Sequence, residues 1–310
     1  LFLCNNKLGG YMKFVKRNYL FIIISFILVL FVTFNFISSR NDYKEVKEIK
    51  KNSVTECFLN EDKHSPGICL KLQEEFNDEY KTKPSFYDTV SYALTGNYMI
   101  LDMALFLLIV IPTLYNLSNL LSDKVILHNI TKEKYSKIKL NILKQGYRYL
   151  WFYPTLLIFF FLLCSIVSTN QATINFLYTD INLASNPIYF IIMYLLNTIF
   201  LTGTYLNISL IALRIKHNYF LATLISFLIF LVTEIFLFIF VDRLFIPSIL
   251  DKVNYQDLFS IIGIFNIKIN NAVNFNLRVF ISFSIFFLTF VITYLMYKNK
   301  EKLVISVEGN

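Results

Sequence analysis

Residues 219–241 read YFLATLISFLIFLVTEIFLFIFV, an unbroken apolar run whose one charged side chain is Glu234. At 1.5 Å rise per residue such a run covers about 34 Å as a helix, enough to cross the roughly 30 Å hydrocarbon core of a bilayer. Lipid offers the backbone no hydrogen-bond partner, so a span of this kind must satisfy its own amides and carbonyls as a helix. Five further stretches repeat the pattern: Tyr19–Ser38, Tyr98–Tyr115, Leu150–Val167, Ile188–Leu213 and Val279–Tyr297. The second is the weakest, because Asp102 and Pro112 interrupt it. The expectation is an all-α, polytopic integral membrane protein of six transmembrane helices. Between the spans lie segments 1–18, 40–96, 116–149, 169–187, 214–218, 242–278 and 298–310, with 40–96 expected as a small extracellular domain.

Composition agrees, with 56% hydrophobic residues and only 16% charged ones in 310 residues, a balance far from that of a soluble domain. The net charge of +8 would suit a nucleic-acid partner, but its placement follows the membrane instead. Lys7, Lys13, Lys16 and Arg17 precede the first span, and Arg214 and Lys216 occupy the short link between the fourth and fifth. Segment 116–149 carries Lys124, Lys132, Lys134, Lys137, Lys139, Lys144 and Arg148 against Asp123 and Glu133. Lys298, Lys300 and Lys302 follow the last span. The alternate segments are acidic or nearly neutral, so the positive-inside rule puts both termini in the cytoplasm of a multi-pass cell-membrane protein. No nucleic-acid partner is expected. The first span, about 20 residues long and followed by Ser38-Ser39-Arg40, is expected to stay as an anchor rather than be cleaved as a signal peptide. Lys13 to Asn18 would lie along the inner headgroups as a lead-in.

In segment 40–96, Tyr43 to Lys51 reads as a charged helix, with Lys44 and Glu48 one turn apart. Cys57 and Cys69 flank the turn-rich His64-Ser65-Pro66-Gly67. Outside the cell a bridge between them is allowed and would pin a domain too short to build a core alone. Free thiols and a metal site using His64 are the other readings. Cys4 and Cys164 read as inert. In segment 242–278, Leu258 to Phe265 is apolar yet too short to span, and Pro247, Gly263 and the Asn-rich 270–276 break it up. A re-entrant pair of helices and an ordinary amphipathic outer loop both fit.

Polar groups inside spans are costly, about 2.5–3.5 kcal/mol for a carboxylate at mid-helix on insertion scales, so Asp102 and Glu234 should face protein or water. A shared polar site in the outer half of the bilayer and separate hydrogen bonding in helix packing are the two readings. In the fourth span Thr198, Thr202, Tyr205 and Ser209 follow i, i+4, i+7, i+11 and share one face, with Asn197, Thr204 and Asn207 off that stripe. Together with Gly203 the stripe can bring helices close; alternatively it lines a substrate path together with Asp102 and Glu234. The chain carries no G-x-x-x-x-G-K-[ST] loop, G-x-S-x-G elbow or H-E-x-x-H pair, and His64, His128 and His217 lie in different segments. No catalytic residue, metal site or cofactor of its own is expected.

The run Ile111-Pro112-Thr113-Leu114-Tyr115-Asn116-Leu117-Ser118-Asn119-Leu120-Leu121, then Thr131-Lys132-Glu133-Lys134-Tyr135-Ser136-Lys137, then Tyr147-Arg148-Tyr149 leading into an aromatic span, resembles the permease subunits of bacterial ABC-2-type transporters, particularly those of low-GC Gram-positive bacteria. Six spans, inner termini, a lead-in helix and short outer helices before the last span extend that resemblance along the chain. The ectodomain is larger than in compact exporters of the family, and a carboxylate in the fifth span is unusual.

The resemblance implies a permease that forms the membrane path for a peptide, antimicrobial or lipid-like substrate and is driven by a separate ABC ATPase subunit that binds ATP and Mg. It implies pairing with a second permease copy or a paralogue, and a coupling helix within Leu120–Lys144, with Lys132, Lys134, Tyr135, Lys137 and Lys139 at the ATPase. The same basic residues also satisfy the positive-inside rule alone. Two rivals remain at this point. One is a membrane-anchored binding or immunity protein whose ectodomain sequesters a peptide without an ATPase. The other is a membrane enzyme for lipid-linked substrates, which would need paired outer carboxylates or an interfacial histidine. A neighbouring reading frame for an ATPase would favour the transporter.

Overall fold

The computed structural model describes residues 19, 23, 26, 27, 29, 30, 33, 34, 37, 41, 44, 45, 47–59, 67–80, 90, 99–121, 134–167, 187–245, 259–262 and 275–298. Every regular element among them is helical. Seven helices are named here: α1 (Ile68–Tyr80), α2 (Met99–Leu120), α3 (Tyr135–Gly146), α4 (Phe152–Val167), α5 (Pro187–Ile215), α6 (Tyr219–Phe236) and α7 (Phe275–Met296). Every described residue from 19 to 59 is helical as well.

Four described helical stretches are long and apolar enough to cross a membrane: Tyr135–Ile166, Ile188–Ile215, Tyr219–Val241 and Asn276–Met296. In α2 the described apolar stretch is Leu105–Leu120, and Pro112 is accommodated inside the helix. The described residues of the first apolar run are helical; Ile23, Phe26, Leu30 and Phe34 are exposed, the side-chain arrangement that lipid accepts, while Val29 packs against the core.

At the centre stands α5. Every residue from Leu201 to Leu210 is buried, the signature of a helix surrounded by others. It packs most extensively against α7, then α6, α2 and α4. Its neighbours bury single faces. In α6 the buried residues are Ala222, Ser226, Phe230 and Glu234, one turn apart each, while Leu224, Leu228, Val232 and Ile235 point outward. Asn218 caps α6, its Oδ1 accepting from the amides of Phe220 at 2.9 Å and Leu221 at 3.4 Å. Beyond Phe236 the backbone widens into a π-helical stretch, Leu237–Phe245.

Close approach of α5 to its neighbours needs two glycines. A Cβ on Gly203 would lie 2.5 Å from Cε2 of Phe286 in α7, and one on Gly146 2.9 Å from Cδ2 of Leu210 in α5. Hydroxyls inside the bundle bond to carbonyls of their own helix: Thr113 to Ile109, Thr202 to Thr198, Ser226 to Ala222 and Thr293 to Thr289. That habit keeps polar side chains satisfied where no water reaches.

The basic segment before the third span does not loop into it. Helix α3 passes through a 3₁₀ turn, Tyr147–Tyr149, straight into α4. Pro154 supplies a reason for the break: it has no amide to donate to the carbonyl of Leu150, four residues back, so the α-helical ladder must restart. Helix α3 itself covers Tyr135–Gly146. It is amphipathic, with Ile138, Ile142 and Gly146 buried.

Outside the bundle Cys57 and Cys69 are disulfide-bonded, with Cα atoms 5.6 Å apart. The bond ties helical residues 47–59 to the first turn of α1. Gly67, at φ +89°, starts α1 from the left-handed region that glycine tolerates. His64 and Cys4 lie outside the described residues, and Cys164 is a buried free thiol. Among the described residues no three His, Cys, Asp or Glu side chains gather as a metal would need.

Candidate functional site

Two polar clusters sit at different depths of the bundle, and α5 contributes to both. The first is built on Glu234. About 22 Å along α6 from Tyr219, this carboxylate is 8% exposed. Ser260 donates its hydroxyl to Oε1 at 2.6 Å, and the amide of Ile261 donates to Oε2 at 2.8 Å. The hydroxyl of Tyr205 in α5 donates to the carbonyl of Ile261 at 2.7 Å, and Ser260 Oγ accepts from the amide of Ile262 at 3.1 Å. Three side chains thus satisfy the polar backbone of a non-helical segment that is itself buried. Non-helical backbone survives at such depth only when protein supplies its hydrogen bonds.

Beneath this tip lies an aromatic trio. Phe106 of α2 stacks on Phe230 of α6 with centroids 4.2 Å apart, and Tyr205 meets both rings edge-on at 5.1 and 5.6 Å. Ile261 and Ile262 belong to the same apolar core as these rings. Arg278, in the first turn of α7 and fully buried, is close enough to interact electrostatically with Glu234.

The second cluster gathers where α2, α5 and α7 end and α6 begins. The hydroxyl of Tyr135, the first residue of α3, donates to the carbonyl of Tyr297 at 2.8 Å, and the Tyr297 hydroxyl donates to the carbonyl of Leu210 at 3.0 Å. Arg214 Nε donates to the carbonyl of Met296 at 3.2 Å. Side chains from α3 and α5 therefore cap the carbonyl end of α7. Lys139 Nζ lies 4.0 Å from the ring centroid of Tyr294, a cation–π contact. One turn further into the bundle Asn207 joins three elements: it accepts from the hydroxyl of Tyr147, and its Nδ2 donates to Thr289 Oγ1 at 3.0 Å and to the carbonyl of Phe286 at 3.3 Å. Asn116 Nδ2 adds a 2.6 Å bond to the Tyr149 hydroxyl.

The opposite face of α3 is open. Lys134, Ser136, Lys137, Asn141, Lys144 and Arg148 are exposed, and Leu140 among them is 66% exposed. The five residues expected at a partner therefore divide. Lys134 and Lys137 sit on the open face, Tyr135 and Lys139 turn toward α7, and Lys132 lies outside the described residues.

The stripe on α5 is fully buried. Thr198 and Thr202 bond to carbonyls one turn back at 2.9 and 2.7 Å, Ser209 to Leu206 at 2.7 Å, and Tyr205 to the tip. Its hydroxyls are engaged in packing, and the helices around α5 would have to part before the stripe could line a path. Asp102 falls in α2, with its side chain outside the described residues.

No family model matches the chain, and no curated protein or solved structure is significantly similar to it. The geometry must therefore carry the functional argument alone. Sequence reasoning placed Asn207 off the hydroxyl stripe but gave it no partner, and it assigned no role to Arg278 or Tyr297. For Arg278 a signal existed: a basic residue of opposite sign to Glu234 stands at the edge of the last span. For Asn207 and Tyr297 the spacing held no indication of which helix they would meet.

Proposed function

We propose that the chain is the membrane-spanning permease subunit of an ABC transporter of the ABC-2 exporter type. In this reading six spans place both termini and α3 on the cytoplasmic side, and the disulfide-tied helical segment outside. A separate ATPase subunit binds ATP and Mg and docks on the open face of α3. A second permease copy or a paralogue completes the membrane path.

The observation that supports this reading best is the two-sided construction of α3. Its inner face meets the two most extensively packed helices, through the Tyr135–Tyr297 hydrogen bond, the Lys139–Tyr294 cation–π contact and the close packing of Gly146 on Leu210. Its open face offers Lys134, Lys137 and Lys144 around Leu140, a basic surface suited to an acidic groove. A push on that face is delivered to α5 and α7 together, as a rigid-body switch between access states requires. The chain's lack of a phosphate loop leaves the energy source to a partner.

The test is co-expression with an ATPase encoded beside this chain, affinity purification in mild detergent or nanodiscs, and ATPase assay. Co-purification that is lost on Lys134→Ala/Lys137→Ala/Lys144→Ala supports the reading. Absence of any ATPase from the wild-type preparation, with no cross-link to α3 in cells, sinks it. The stapled helices 47–59 and α1 then favour the second reading, a binding or immunity protein that acts without an ATPase.

A further inference from the structure

We infer that Glu234, Tyr205 and the Phe106–Phe230 pair form a binding site for an apolar peptide segment, occupied at rest by the chain's own residues 260–262. The inference rests on the transporter reading for its biological use and names the class of substrate; the binding site itself needs no ATPase.

The chemistry of the present occupant defines the site. Glu234 accepts one backbone amide and one hydroxyl, and Tyr205 donates to the carbonyl of the same residue whose amide Glu234 holds. A donor and an acceptor spaced to grip the N–H and C=O of one residue read peptide backbone in general, with no side-chain requirement. Below them a stacked aromatic pair receives aliphatic side chains, here within one core with Ile261 and Ile262. A lipid chain would leave Glu234 and Tyr205 without partners at a depth where that is costly, and the groups they hold here are the amide and carbonyl of one peptide residue. A peptide with Ile, Leu or Val beside a small hydroxyl residue satisfies all three. Residues 260–262 therefore act as a tethered stand-in, and an incoming peptide must displace them.

The experiment uses the purified full chain in nanodiscs, with Cys4→Ser and Cys164→Ser, the Cys57–Cys69 bridge intact, and Ile262→Cys as reporter. Labelling of that thiol by a hydrophilic maleimide measures how often the tip leaves. The probe is the acetylated, amidated pentapeptide of residues 259–263. The expected result is slow labelling at rest, accelerated saturably by the pentapeptide. Tyr205→Phe removes one hydrogen bond, and Glu234→Gln keeps an acceptor for the Ile261 N–H but removes the charge and the second acceptor, to which the Ser260 hydroxyl donates. Each should speed resting labelling and weaken the response to the pentapeptide by about tenfold. A labelling rate indifferent to the pentapeptide overturns the proposal, as does a response unchanged by Tyr205→Phe, the milder variant if Glu234→Gln does not fold. A shuffled peptide of Asp, Gly and Lys controls for non-specific disruption; if it accelerates labelling equally, the site has no preference for apolar peptide and the proposal fails. Because no ATPase is present, these outcomes are separate from the co-purification that tests the transporter reading.

Discussion

Asn207, on α5, has its side-chain oxygen and nitrogen engaged by two other helical elements at once, the turn after α3 and α7. Interhelical hydrogen bonds in membranes average about 0.6 kcal/mol and reach about 1.7, so replacing Asn207 by Leu should cost about 1–3 kcal/mol, seen as a lower midpoint of thermal unfolding in detergent. An unchanged midpoint would mean that the turn and α7 hold together by packing alone. Gly203 poses the opposite problem, too much side chain. Gly203→Ala gains up to about 1 kcal/mol of helix propensity, but its Cβ would sit 2.5 Å from the Phe286 ring. That ring is held against Phe200 at 6.0 Å and Phe290 at 6.2 Å, so it yields poorly and the overpacking cost of about 1–3 kcal/mol should win. The measurement is a double-mutant cycle. Gly203→Ala should lower the unfolding midpoint, and Phe286→Leu in the same chain should recover part of it.

Among the elements α3 makes the sharpest demand, because the proposed function gives its two faces separable roles. Ile138→Ala with Ile142→Ala removes the buried stripe and should cost several kcal/mol of docking, detected as faster proteolysis within residues 134–146 while the rest of the chain stays intact. Lys137→Glu with Lys144→Glu leaves the buried face untouched. Its unfolding midpoint should stay within about 0.5 kcal/mol of wild type, as expected for exposed positions, while ATPase retention on affinity resin is lost. Equal loss of stability in both variants would show that the basic face is structural. Tyr135 is half-buried and packs against the core, which the sequence alone could not indicate. Its position at the start of a basic helix looked like part of a partner surface, whereas its hydroxyl reaches the carbonyl of Tyr297, 162 residues away. The tip at 259–262 is a second element decided from a distance, since both of its holders, Glu234 and Tyr205, come from other helices.

At the scale of the whole molecule, orientation is the property to test. A single Cys at Lys47 of a Cys-free chain should react with impermeant maleimide on intact cells, and one at Lys137 should react only after the membrane is opened. Labelling of Lys137 from outside would invert the topology and with it the docking role of α3. The helical character and the apolar runs were legible in the sequence, because they depend on hydrophobicity and its period, which are local quantities. Lipid strengthens that legibility, since a span has few structural options. Partnership was not legible. The hydroxyl stripe on α5 was visible at helical spacing, but that Thr198, Thr202 and Ser209 bond within their own helix while Tyr205 holds a distant carbonyl follows only from what packs beside them. Glu234 was singled out because a carboxylate among Phe and Leu is expensive, and the expense was a sound clue to the presence of partners but silent on their identity. The sequence by itself determined which segments are helical and apolar, since burial in lipid acts on each stretch independently. Only the tertiary structure decided that α5 is the central helix, that α3 grips α7, and that residues 260–262 occupy the site of Glu234, because hydrogen bonds between elements are set by three-dimensional proximity, which no local period encodes.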